Sequence, residues 1–151
     1  IQPDDTSFSN PPSMHAPIDA FCERTCQERP ENDAQVIRLI FESLALRYRQ
    51  VLEDLDRIAT HPIERLHIIG GGSKNRLLNQ LTANAIGRKV IAGPSEATAI
   101  GNVMIQAMAA GVVSSLQEMR SIIHASVETE EFAPELVAEW EEAYQKFVTL
   151  K

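Results

Sequence analysis

The residues best placed to do chemistry in this sequence are Gly70, Gly71 and Gly72, with Asn75 just beyond them. They follow the apolar run Leu66-His67-Ile68-Ile69 and precede a stretch carrying Leu77, Leu78, Leu81 and Ile86 at helical spacing. The order is strand, glycine turn, helix start. Such a turn suits a phosphate or nucleotide. Residues without Cβ let the backbone come close to a ligand, and free N–H groups at a helix start favour an anion. Ligands of parallel sheets also gather at the carboxyl ends of the strands. The competing reading is that a tight strand-to-helix turn needs glycine for its geometry alone.

The common phosphate motifs are incomplete. The sequence has no G-x-x-x-x-G-K-[ST]. Gly70 and Gly72 fit the start of a dinucleotide fingerprint, but Asn75 stands where its third glycine belongs. Residues 73–95 also hold no acidic side chain to grip a ribose. Residues 65–95 carry Arg65, Lys74, Arg76, Arg88 and Lys89 without one Asp or Glu. An acid-free stretch in an acidic chain can meet an anion, and chance clustering is the alternative. Lys74 and Arg76 lie beside the turn and are read as solvated. Cys22 and Cys26, four apart on an expected helix, share a face and read as buried, reduced core residues. A zinc site would need two more ligands, and His15, His61, His67 and His124 show no matching spacing. Asp4, Asp5 and Asp19 match no catalytic motif, so no catalytic residue and no metal ligand is assigned.

The elements that must position the turn follow from periodicity and caps. Residues 1–13, with Pro3, Pro11 and Pro12, read as an extended arm. Pro17 suits the first turn of a helix that carries Ile18, Phe21, Cys22 and Cys26 and ends by Pro30. Asn32 and Gln35 form a capping box for a long helix, Asp33 to Ala59. After Leu66–Ile69, read as a buried strand, a helix from about Ser73 stops at Gly87. Lys89–Ala92 is a second strand, closed by Gly93-Pro94. Further helices are expected at Glu96–Ala110, from a Ser115/Glu118 capping box to Ile123, and at Pro134–Leu150. The middle is therefore a right-handed parallel β-α-β unit. Two strands leave a sheet with open edges. Either strands outside this chain complete the sheet or the arm at 1–13 adds one.

Length and composition bound the rest. The chain has 151 residues, one domain's length. Its formal net charge of −7 argues against nucleic acid as the partner. Seven glutamates with no Lys or Arg crowd residues 128–142. No apolar run approaches the ~20 residues that span a bilayer, so no membrane partner is expected. The opening IQPDDTSFSNPP has neither the basic nor the apolar region of a signal peptide. The chain begins at Ile1, and we expect it to be part of a longer protein.

The segment LHIIGGGSKNRLLNQLTANAIGRKVIAGPSEATAIGNVMIQAMAAG, residues 66–111, resembles the C-terminal domain of the FGGY family of carbohydrate kinases. Both family motifs are present: strand, G-G-G and Asn before a helix, then P-x-E-x-T-A-x-G at 94–101 before a helix of small residues. IQPDDTSFSNPPSM and IRLIFESLALRYRQVLEDL extend the resemblance over nearly the whole chain. It implies an α/β fold, helix-rich with a short parallel β-α-β core, part of an actin/hexokinase/Hsp70-like (ribonuclease H-like) ATPase domain. Residues 14–151 would form the nucleotide-binding domain fragment, and residues 1–13 an arm arriving from the missing part.

The resemblance also implies ATP and Mg²⁺ as cofactors, a ketose as phosphoryl acceptor, a cytoplasmic location and a missing N-terminal domain as partner. Gly71 would lie against the nucleotide phosphates, Gly70 and Gly72 would shape the turn, and Asn75 would face the adenine. Glu96, Thr98 and Gly101 are read as structural, with Gly101 and the neighbouring alanines letting their helix approach a neighbour. The family's general-base aspartate and sugar site would lie upstream of this chain. Which ketose is used stays open, as does a regulatory module of the same fold without catalysis.

Overall fold

Asn32 turns the chain into its longest helix. Its side-chain oxygen accepts the N–H of Gln35 at 3.1 Å, and α2 then runs Asp33–Ile58. The computed structural model describes residues 1–150. At ~1.5 Å per residue, α2 is about 39 Å long. Gln35 completes the box one residue early, accepting the Glu31 N–H at 2.6 Å.

Before it, α1 spans His15–Arg24. Cys26, at φ 55, ends this turn of chain well before Pro30. The arm is not extended and adds no strand. Asp5 caps a short 3-10 turn at Thr6–Phe8, Asp4 pairs with Arg47, Asp5 pairs with Arg24, and Gln2 Nε2 donates to the Phe147 carbonyl. The arm is thus strapped across α1, α2 and the last helix.

The sheet is small and mixed. Strand β1 is Arg65–Ile68 and β2 is Lys89–Ala92, paired in parallel with Leu66 opposite Val90. Helix α3, Arg76–Ile86, makes the crossover and stops at Gly87 with φ 63. The third strand comes from an unexpected place. Glu130–Phe132, β3, runs antiparallel along β2 with Val90 opposite Phe132, giving the order β1-β2-β3. Three residues with two glutamates carry no alternating apolar signal. Their side chains find Arg76 and Lys89 instead.

The core lies between the sheet and the helices. Leu52 of α2 and Ala83 and Ile86 of α3 meet Val90, Ala92 and Phe132. Helix α6, Val137–Phe147, brings Trp140, Tyr144 and Phe147 onto Ala45, Leu46, Leu81 and Ala85. It starts three residues later than expected because Leu136 holds a left-handed backbone, φ 53.

Two regions differ from the buried setting expected of them. β1 is an edge strand whose residues are alternately exposed and half-buried, and no strand among the described residues covers its outer side. Helices α4, Ala97–Ala109, and α5, Leu116–Ser126, form a satellite cluster around Met104, Val113 and Met119. Nothing comes within 4 Å of a Cβ built on Gly101, so the close neighbour expected for α4 is absent among the described residues.

Candidate nucleotide-binding turn

The two parallel strands are tied together just past their last paired residues. Gly93 N–H donates to the Ile68 carbonyl at 2.8 Å, and Gly70 N–H donates to the Pro94 carbonyl at 3.1 Å. Between these ties the chain leaves β1 and turns into α3. Gly70 has φ 80 and ψ −163, a region that side chains with Cβ essentially do not enter. Residues 71–74 then form one 3-10 turn, so the helix expected from Ser73 begins at Arg76.

The three glycines have different reasons for being glycine. Gly70 needs its freedom for the backbone. Gly71 has no positive φ, and a Cβ placed on it would meet nothing within 4 Å. Gly72 would meet only Ile68 Cγ2 at 3.9 Å, an ordinary contact. Neither backbone strain nor packing inside the chain therefore requires glycine at 71 or 72. Their N–H groups have no hydrogen-bond partner among the described residues, while both residues are exposed.

Asn75 caps α3. Its Oδ1 accepts the Leu78 N–H at 3.1 Å, which satisfies one of the first free donors of the helix. The carboxamide therefore keeps its Nδ2 to donate elsewhere, while its oxygen is already engaged. Two further polar residues complete the turn: Ser73, read in the sequence only as the expected helix start, and Asn79, which the sequence did not mark. Ser73 Oγ donates to the Gly70 carbonyl at 2.7 Å, and Asn79 Nδ2 donates to the Ser73 carbonyl at 2.8 Å. The available signal was a polar residue at position 79 on the buried face that Thr82, Ala83 and Ile86 share.

Electrostatics narrow the acid-free stretch. Arg76 meets Glu130 at 2.6 Å, Lys89 meets Glu131 at 3.1 Å and Arg88 meets Asp56 at 2.5 Å. The acidic segment of the sequence thus partly neutralises the basic one across β2 and β3. Lys74 has no acidic partner among the described residues and is exposed. A groove of about 710 Å³ runs between α2 and β1, walled by Tyr48, Val51, Leu55 and Ile69, with Gly72 and Asn79 at one end. Among the described residues its lining Arg or Lys is Arg47 alone, which is paired with Asp4, so its chemistry is apolar and unlike a phosphate site.

The remaining candidates resolve simply. Cys22 is buried and burial pushes its thiol pKa up, as expected of a core cysteine. Cys26 is exposed, because the left-handed turn lifts it off the helix face. Glu96 stands at the start of α4 without a capping hydrogen bond. No group of three or more His, Cys, Asp or Glu side chains gathers among the described residues. No helix there is long and apolar enough to cross a membrane.

Comparison with known proteins agrees with this geometry. Residues 1–110 match the family model "FGGY family of carbohydrate kinases, C-terminal domain". A rhamnulokinase from Bacteroides thetaiotaomicron is 55% identical over 147 residues, covering 97% of this chain and 30% of the relative. One from Pectobacterium atrosepticum is 41% identical over 150 residues, covering 99% of this chain and again 30% of the relative. The chain thus spans about 30% of the length of the curated relatives it matches. The crystal structure of a xylulose kinase from Rhodospirillum rubrum superposes with a TM-score of 0.65 at 23% identity, over 82% of this chain and 25% of that one. The fold is the helix-rich FGGY form of the actin/hexokinase-like architecture, with a small mixed sheet. A glycine turn between parallel strands, Asn75 at the helix start and the family match over residues 1–110 agree, and the chain belongs to the FGGY family of carbohydrate kinases as its C-terminal domain.

Proposed function

We propose that this chain is the ATP-binding portion of a sugar kinase that moves the γ-phosphoryl group of ATP to a ketose hydroxyl, converting L-rhamnulose to L-rhamnulose 1-phosphate. The observation that carries the nucleotide part is Gly71. Its glycine identity has no internal cause, and close approach by a ligand from outside supplies one. The sugar rests on the relatives, which are named rhamnulokinase.

In this reading the Gly71 N–H and its neighbour at Gly72 face the nucleotide phosphates, Gly70 sets the bend, and Asn75 Nδ2 donates to the adenine. Phosphoryl transfer depends mainly on positioning and charge neutralisation. The general base, the sugar contacts and the rest of the phosphate site belong to the larger part of the polypeptide, which residues 1–13 join to the domain at 14–151. The described residues offer no cluster to hold Mg²⁺. The ion belongs to the MgATP substrate in this scheme, and no step is drawn through it. Closure of two lobes on ATP and ketose would exclude water, in a protein working where ATP is abundant, the cytoplasm.

The test is ketose-dependent ADP release by the full-length polypeptide carrying this chain, with L-rhamnulose, D-xylulose and L-fuculose as acceptors. L-Rhamnulose should give the highest kcat/KM, and Gly71→Val should raise KM for ATP more than tenfold while leaving KM for the ketose in place. Preference for another ketose would reassign the sugar within the family. Nucleotide binding without turnover on any sugar would favour a regulatory module. No nucleotide binding would overturn the reading.

A further inference from the structure

We propose that Asn79 is a positioning residue for the glycine turn, acting through Ser73 on Gly70; this rests on the nucleotide reading above. Asn79 is fully buried in α3. Its Nδ2 donates to the Ser73 carbonyl at 2.8 Å, and Ser73 Oγ donates to the Gly70 carbonyl at 2.7 Å. Ser73 N–H reaches the same carbonyl at 3.1 Å. The relay therefore runs from the body of a core helix to the one residue of this turn whose backbone requires glycine. It fixes the planes of the peptides on either side of Gly71 and Gly72, whose N–H groups are left free.

The other end of the same side chain argues that the relay is more than packing. Asn79 Oδ1 is buried and has no hydrogen-bond partner among the described residues. Turning the amide over would set Oδ1 against the Ser73 carbonyl, so the observed orientation is the only one with a bond. A buried acceptor left unmade is unfavourable, and a leucine, which keeps the branching of the side chain but is larger, would not carry it. The asparagine thus trades core stability for a fixed turn.

The two roles separate experimentally in the full-length polypeptide. Asn79→Leu removes both the orphan oxygen and the donor, and Ser73→Ala removes only the hydroxyl. Each should raise KM for ATP, and Kd for ADP, by about tenfold, the worth of one lost hydrogen bond at its upper range. KM for the ketose should not move. The double variant should be no weaker than the worse single one, because both break one relay. Ser73→Thr, which keeps the hydroxyl, should restore ADP binding. A purely structural Asn79 predicts unchanged nucleotide affinity for Asn79→Leu, whatever its thermal midpoint. If Asn79→Leu does not fold, Ser73→Ala and Ser73→Thr decide alone. ADP binding that Gly71→Val weakens but these variants leave intact would overturn the relay and spare the nucleotide site. Absence of ADP binding in the unaltered protein would overturn both.

Discussion

Tyr144 of α6 donates its hydroxyl to Glu53 Oε2 of α2 at 2.7 Å. Arg49 stands 3.9 Å over the same ring and reaches both Glu53 and Glu141. One tyrosine, one arginine and two carboxylates thereby clamp the last helix to the longest one. The clamp lies beside the core of Ala45, Leu81 and Trp140, behind the helix that starts at the glycine turn.

Tyr144→Phe keeps the ring under Arg49 and removes the hydroxyl bond. The expected loss is about 1 kcal/mol, or a midpoint lower by about 2–4 °C for a domain of this size. Burial, with the Glu53 carboxylate, pushes the Tyr144 hydroxyl up to about 12. An unfolded tyrosine ionises near 10. The folded pKa is the higher one, so this contribution is whole below pH ~10 and is lost as pH rises toward ~12. Thermal midpoints of the two proteins should converge over that window.

Arg88 makes the opposite case, at low pH. Its guanidinium holds Asp56 with bonds of 2.5 and 3.1 Å and donates to the Ile63 carbonyl at 2.7 Å. The Arg88 hydrogen bonds keep the Asp56 carboxyl below its usual 3.8. A depressed carboxylate adds stability above its unfolded pKa and loses it as pH falls through the folded one. Arg88→Ala should therefore lower the midpoint clearly at pH 7 and less at pH 3. The Ile63 bond does not titrate, so part of the loss should persist at low pH.

The glycines of the turn predict two unlike substitutions. Gly70→Ala forces a Cβ into φ 80, ψ −163, with a strain of about 1–3 kcal/mol. Gly71→Ala meets neither strain nor a neighbour within 4 Å. The first should lower the thermal midpoint by several degrees, and the second should leave it within about 1 °C. Equal losses would show that Gly71 is structural after all.

Legibility in the sequence followed the range of the interaction. Asn32, Gly87 and Ser115 announced their helices because a cap acts over three or four residues. β2 was readable because Val90, Ile91 and Ala92 are buried together. β3 was not, because its place comes from pairing with β2 and from Phe132 entering the core, about 40 positions away in the chain, while Glu130 and Glu131 show no apolar pattern. The same distance hid the neutralisation of the acid-free stretch. At the candidate site the glycines and Asn75 stood out by type. Ser73 and Asn79 did not, since their meaning lies in two hydrogen bonds that exist only once the turn has closed.

The exposed side of β1 yields the last prediction. Its outer edge is unpaired among the described residues, Ile69 is 60% exposed, and Val51 and Leu55 of α2 are 42% and 45% exposed beside it. These residues wall the apolar groove between α2 and β1. An open strand edge next to an apolar face is a template for pairing with another chain. In the longer polypeptide the remaining sequence would take that place. Taken alone, the 151-residue chain should sediment well above its 16.8 kDa monomer mass at high concentration. Ile69→Lys with Val51→Glu places charges on both walls and should return it toward the monomer. A monodisperse monomer in the unaltered chain would show that the edge is protected by some other means.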